Sequence, residues 1–383
     1  MKRFALTHCT YFDADDQEHH EQAVIVSHQR IEQILPMSEL PEGLDCVDCS
    51  GQLLTPGFID IQVNGGGGVM FNNQPTLAGL EAIRRGHWSG GTTAMLPTLI
   101  TDSDAIMSQA VDAVAQAIEQ LPGILGIHLE GPHLNLEKRG VHAADKVRLL
   151  ADFSEQLLQC LPPERYLITV APECLPAGTI ARWVARGIRV SAGHTLADYA
   201  QIQQALAEGL ACFTHLYNAM TPMASREPGV VGAALEDEQT YCGLIVDGIH
   251  LHPAVAKLAV RTKPTGKMLL VTDAMAVVGS SVNSFELYGE TIYAVDGRCA
   301  KADGTLAGSA LDMASAVRHC VHTLELALPE ALRMASLYPA QFLGLADQYA
   351  RLASTYRADL VLLDADLCVQ KTWVAGELVY SKA

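Results

Sequence analysis

The chain has 383 residues, 49% of them hydrophobic, which suits one large domain with a smaller one rather than a string of small modules. Its 26 basic residues against 43 acidic ones give a formal net charge of −17, which argues against nonspecific attraction to nucleic acid or anionic membrane and means that an anionic ligand needs a local cluster of cations. No apolar stretch reaches the roughly 18 residues of a membrane helix, and the opening MKRFALTHCTYFDADD turns acidic before a signal-peptide core could form, so a soluble, cytoplasmic protein with its ten scattered cysteines kept as thiols is expected.

Residues 1–54 hold β-type runs such as AVIVSHQRIEQIL. His19 and His20 fall in an acidic turn and are expected in water. Cys46 and Cys49 form a CxxC without a second one, so they read as small apolar residues of a strand and not as half of a structural zinc site. From residue 57 the pattern changes. Short apolar runs at 57–63, 92–98, 124–130, 166–172, 188–194, 211–217, 241–247 and 268–274 alternate with helical segments such as DSDAIMSQAVDAVAQAIEQL, which opens on Asp-Ser cap residues.

Strand and helix alternating eight times predict an α/β fold, a (β/α)8 TIM-type barrel. A doubly wound sheet is the competitor, but no GxGxxG follows the first strand. The glycine run Gly65 to Gly68 lacks the Gly-Lys-Ser/Thr of a phosphate loop, and reads as a strand-to-helix turn or a close backbone approach. Residues 284–307 read as hairpins decorating the last barrel loop, and 350–383 return to β-type runs. The two ends are expected to pair as a small β-sandwich, giving segments 1–54, 55–349 and 350–383.

Side chains at the C-terminal ends of barrel strands converge on one site. Here those positions hold Asp60, Gln62 and Asn64, Glu130, His194, His215, Asp247 and His250, and Asp273. A glutamate ending an apolar run, as in ILGIHLEGPHL, costs several kcal/mol to bury unpaired. Two imidazoles and a carboxylate, His194, His215 and Glu130, would give it a divalent cation with one coordination position open for water. Asp273 would then serve as general base.

PGFID (56–60), HLEGP (128–132), SAGH (191–194), THLYNAM (214–220), REPG (226–229), DGIH (247–250) and VTDA (271–274) together resemble the N-acetylglucosamine-6-phosphate deacetylase family of the amidohydrolase superfamily over nearly the whole chain. The resemblance implies hydrolysis of the acetamide of N-acetyl-D-glucosamine 6-phosphate in amino-sugar catabolism. It implies a metal at Glu130, His194 and His215, acid/base catalysis by Asp273, and carbonyl polarisation by His142. It also implies sugar-phosphate binding by Asn218, Ala219, Arg226 and His250, and a homodimer with a phosphate contact that can cross the interface. Two nitrogens and one oxygen suit Zn(II), with Fe(II) as the alternative.

Three departures are visible. Many superfamily members carry His-x-His after strand one and bind two metals, whereas this chain has Gln62-Val63-Asn64, so one metal per subunit is expected. His133 stands where an aromatic or bulky apolar residue is usual, and could reshape the sugar pocket. ARLASTYRADLVLLD lacks a turn glycine, which concerns a remote turn. Two other readings compete: the galactosamine epimer as substrate, against which HLYNAM speaks, and a non-catalytic sugar-phosphate-binding barrel, against which Asp273 and the full ligand set speak.

Overall fold

The computed structural model describes residues 3–382. Eight parallel strands form one sheet in chain order: β1 (Phe58–Val63), β2 (Thr92–Ile100), β3 (Ile127–Glu130), β4 (Tyr166–Val170), β5 (Arg189–Ala192), β6 (Cys212–Phe213), β7 (Tyr241–Leu244) and β8 (Met268–Leu270). The ring closes where Val63 and Ala274 bridge in parallel, with the Asp273 amide donating to the Gln62 carbonyl at 3.0 Å and the Asn64 amide to the Ala274 carbonyl at 2.9 Å. This is the expected (β/α)8 barrel, and each of the eight apolar runs supplies a strand. β1, β2 and β4 are buried at every position, as continuous apolar runs covered on both faces must be. The capped segment after β2 is the helix Asp104–Gln120, its first turn closed by the Ser103 side chain accepting from the Ile106 amide.

Five strands, β4 to β8, stop short of the C-terminal ends of their apolar runs. After three of them His194, His215 and Asp273 take φ of 50, 34 and 53°, a left-handed backbone that few non-glycine residues adopt and that turns the chain out of the strand at these positions. Beneath them the barrel interior carries a belt of hydrogen-bonded polar groups. Thr98 Oγ1 meets His128 Nδ1 at 3.2 Å, His128 Nε2 meets Thr169 Oγ1 at 2.7 Å, and Thr214 Oγ1 lies 2.6 Å from both Thr169 and Ser191. Burial drives His128 down to about 4, so this imidazole is neutral. Each member is paired, which is what makes a polar layer tolerable in a core.

Both chain ends build a second sheet, in the order Glu377–Ser381, Val369–Val374, Leu360–Leu363, Leu53–Pro56, Phe4–Phe12, Glu18–Ser27 and Arg30–Pro36, with Asp45–Asp48 also paired to Phe4–Phe12. Leu6, Val24, Val26 and Ile31 from one end share a buried core with Leu360, Leu362 and Trp373 from the other, so the sheet closes over itself as the expected sandwich. Compactness divides the chain into two units. One runs to Asp60 and adds His87–Ala94 and everything from Asp312, while the other comprises Ile61–Gly86 and Met95–Leu311. The segment after β8 forms an antiparallel meander of Ser284–Leu287, Glu290–Val295, Arg298–Ala300 and Leu306–Ser309.

Several details differ from the expectations. Of the CxxC pair only Cys49 is buried, its sulfur 3.5 Å from that of Cys9, while Cys46 is exposed. His19 is not left to water: Nε2 meets Asp13 at 2.7 Å and the ring stacks on Tyr11 at 5.0 Å. Gly65, Gly67 and Gly68 spend their amides on the carbonyls of Ala274, Val278 and Ala276, and a Cβ on Gly67 would stand 2.4 Å from the Ala82 carbonyl oxygen. Close packing, and not phosphate, explains that run. The missing turn glycine has a stand-in: Thr355 takes φ of 75° while its amide bonds to Ile31 O at 2.8 Å. Left-handed backbone at a non-glycine residue costs roughly 1–3 kcal/mol, and glycine returns up to about 1 of this through its own chain entropy. Thr355→Gly should therefore raise the unfolding free energy by about 1 kcal/mol, seen as a higher urea midpoint; a lower midpoint would show the threonine to be unstrained.

Candidate metal centre

Glu130 ends β3, and His194 and His215 lie just past β5 and β6. Glu130 Oε1 stands 3.0 Å from His194 Nε2 and 3.0 Å from His215 Nε2, and the two imidazole nitrogens are 3.0 Å apart. All three side chains are at most 8% exposed. The protonation pattern makes this triangle informative. His194 Nδ1 lies 2.7 Å from the Lys138 carbonyl oxygen, which only accepts, so in the neutral ring the proton sits on Nδ1 and Nε2 presents a lone pair. A carboxylate oxygen, that lone pair and a second imidazole nitrogen then face one point. A cation between them would satisfy all three at once, and tetrahedral ligands on bonds of roughly 2.0–2.1 Å stand about 3.3 Å apart, close to what is seen. The donor set thus fits a divalent metal, and the Lys138 carbonyl orients one ligand as such sites require.

The carboxylate responds as a ligand would. Burial alone would raise Glu130, but the two imidazoles against its carboxylate, His194 and His215, hold it well below the ordinary carboxylate range. Across from it, Asp273 is pushed up to about 6, by burial first and by the Glu130 charge second. Asn64 Nδ2 donates to Asp273 Oδ1 at 2.6 Å, and Gln62 Nε2 donates both to Asp273 Oδ1 at 3.2 Å and to Glu130 Oε2 at 3.3 Å. Amide N–H groups therefore occupy the space between the two carboxylates, where a second cation would require lone pairs.

These groups open into a cavity of about 310 Å³. His142 lines it with its ring edge against His194, centroids 4.5 Å apart. Burial, with His194 beside it, drives His142 down to about 3, which makes it a neutral imidazole. Asn218, Ala219 and His250 line the same cavity. His250 Nδ1 meets Asp247 Oδ2 at 2.6 Å, so Nδ1–H donates to the carboxylate and Nε2 is left for a ligand. Burial opposes ionisation of Asp247, yet the His250 hydrogen bond holds its carboxyl below the usual range.

Of the residues expected from sequence, Glu130, His194, His215, Asp273, His142, Asn218, Ala219 and His250 meet in this cavity; Arg226 stands exposed on a loop and does not line it. His133 does not reach it either: Nδ1 bonds the Arg148 carbonyl at 2.9 Å and Nε2 meets Ser154 Oγ at 3.0 Å, tying down the loop that carries His142. Sequence reasoning gave no role to Asp247, although D-x-x-H spacing signals it. It also missed the apolar wall of Ile100, Val141, Met275 and Leu306, the last supplied by the meander. Among the described residues, no other cluster of three histidine, cysteine or carboxylate side chains has metal-binding geometry. Dialysed protein is expected to keep about one divalent cation per chain, Gln62→Leu the same, and Glu130→Gln far less, as read by elemental analysis; two equivalents in the unaltered chain would contradict the amide argument.

Residues 53–379 match the amidohydrolase family and residues 3–54 the NagA composite domain. The chain is 47% identical to an N-acetylgalactosamine-6-phosphate deacetylase of Shewanella sp. (strain ANA-3), over 85% of this chain and 83% of that protein. It is 36% identical to an N-acetylglucosamine-6-phosphate deacetylase of Haemophilus influenzae, over 98% and 99%. The crystal structure of N-acetylglucosamine-6-phosphate deacetylase from Pasteurella multocida superposes with a TM-score of 0.94 at 36% identity, covering 99% of this chain and all of that one. With the barrel and the NagA composite domain both matched, the chain belongs to the amidohydrolase family.

Proposed function

We propose that this chain is a metal-dependent deacetylase that hydrolyses the acetamide of N-acetyl-D-glucosamine 6-phosphate to acetate and glucosamine 6-phosphate. The observation that carries the reading is the triangle of Glu130, His194 and His215, which shares with Asp273 a cavity also lined by His142 and His250. Relatives at 36% identity over nearly full length carry that name.

A divalent cation at Glu130, His194 and His215 supplies Lewis acidity, lowering the pKa of a water towards about 7 and adding positive charge near the amide oxygen. Asp273 accepts a proton from the attacking water as the new C–O bond forms. Asn64 and Gln62 fix the carboxylate by donating to Oδ1, so Oδ2 is free for that proton. Neutral His142 donates a ring N–H to the acetyl oxygen as it gains charge. Protonated Asp273 then delivers its proton to the nitrogen, the C–N bond breaks, and acetate and the amine leave. His250, paired with Asp247, and Asn218 bind the sugar-phosphate end. Zn(II) suits the ligand set, with Fe(II) second.

Arg226, exposed and outside the cavity, supports a homodimer in which it reaches the phosphate held by a second subunit. A phosphorylated sugar as substrate, together with ten cysteines free of disulfides, supports a cytoplasmic setting. The 47% identity to an N-acetylgalactosamine-6-phosphate deacetylase favours a second reading, with the C4 epimer as substrate. The chemistry is unchanged, and only the contact to one hydroxyl differs.

Acetate release should be measured over both N-acetylhexosamine 6-phosphates and their unphosphorylated forms, on protein stripped of metal and titrated with Zn(II) or Fe(II). Turnover is expected only with the phosphorylated sugars and only after metal is restored; a higher kcat/KM for the galacto epimer would transfer the assignment to the second reading. Asp273→Asn should lower kcat by roughly 10³-fold or more while bound metal stays near the unaltered level. Retained turnover in that variant would remove Asp273 from proton transfer.

A further inference from the structure

His142 can stabilise an amide oxygen only if its proton is on the nitrogen that faces the cavity. A neutral imidazole has two tautomers, and its surroundings decide between them. In this chain the decision falls to one residue. Thr101, the first residue past β2, directs its backbone N–H at His142 Nδ1, at 3.3 Å, and its hydroxyl lies 2.8 Å from the same nitrogen. A backbone amide can only donate. Nδ1 must therefore present its lone pair, and the proton is left on Nε2.

Thr101 is itself held from two directions. Its hydroxyl has a single proton, and because the fixed amide N–H makes Nδ1 an acceptor, the hydroxyl gives that proton to Nδ1 and not to the Glu130 carbonyl 3.2 Å away. The Tyr288 hydroxyl, from the meander after β8, donates to the Thr101 carbonyl. Gly131 leaves the space that the threonine fills: with φ of 90°, a Cβ there would lie 2.2 Å from Thr101 Oγ1. Thr101 is 1% exposed, so water does not compete for these bonds.

We infer that Thr101 is a positioning residue of this active site, one that fixes His142 as an Nε2–H donor aimed into the cavity, with Tyr288 pinning Thr101 from the meander. The inference rests on the deacetylase reading for its consequence in catalysis, but the tautomer can be observed without turnover.

The test pairs Thr101→Val, which keeps the shape and removes the short hydrogen bond, with Thr101→Ser, which restores the hydroxyl. Partners that orient an active-site imidazole typically matter by about 10- to 100-fold, so Thr101→Val is expected to lose that much in kcat with KM within roughly twofold, and Thr101→Ser to recover most of it. Nitrogen NMR of metal-loaded protein labelled on histidine is expected to show His142 as the Nε2–H tautomer, and a mixture in Thr101→Val. Tyr288→Phe serves as a milder second variant should valine unfold the chain, and is expected to lower kcat several-fold without changing KM. An Nδ1–H tautomer in the unaltered protein overturns the inference, as does an unchanged kcat in Thr101→Val or a serine variant as impaired as the valine one. A protein that releases no acetate from any of the sugars would sink the deacetylase reading alone, since the tautomer still judges Thr101.

Discussion

Three electron-rich atoms aimed at one point are the constraint on which the rest of this structure depends. Glu130 Oε1, His194 Nε2 and His215 Nε2 stand 3.0 Å from one another in a buried site. Without positive charge among them, the carboxylate is a buried charge without a counter-charge, a cost of several kcal/mol. With a cation, the same burial strengthens every contact because little solvent screens it. The left-handed backbone at His194, His215 and Asp273 is the local conformation that turns these side chains over the barrel mouth.

The barrel supplies rigidity at two levels. Closure through Gln62, Asp273 and Ala274 fixes the first and last strand ends against each other, so that Gln62 and Asn64 can hold Asp273 at a set distance from Glu130. The belt of His128, Thr169, Thr214 and Ser191 below stitches neighbouring strands with hydrogen bonds in place of apolar contacts. A polar layer of this kind is directional, and a direction is what a metal site needs from its floor. The substitution of amides for histidines after β1 follows the same logic. N–H groups between two carboxylates offset part of their repulsion by hydrogen bonding, while burial and the Glu130 charge still push Asp273 up to about 6.

Specificity is built from less regular parts. The loop carrying His142 is tied down by His133 through Arg148 and Ser154, and the meander brings Leu306 into the cavity wall and Tyr288 onto Thr101. His250, whose Nδ1 bonds to Asp247 at 2.6 Å, adds a further polar group to the cavity lining.

Much of this was readable in the residues alone. Eight apolar runs with helical spacers point to parallel strands buried on both faces, and the absence of GxGxxG after the first of them favours a barrel over a doubly wound sheet. The barrel then says that Glu130, His194, His215 and Asp273 converge, since strand ends share one mouth. Donor identity, and hence the class of metal and chemistry, also belongs to the sequence. What the tertiary structure alone decided is which nitrogen of His194, His142 and His250 is free, and which candidates miss the cavity. His194 takes its orientation from a carbonyl 56 residues away and His142 from a threonine 41 residues away. Arg226 and His133 carry suitable chemistry but their loops lead elsewhere. Hydrogen-bond direction depends on where distant backbone groups come to rest, and no local pattern of residue types encodes that.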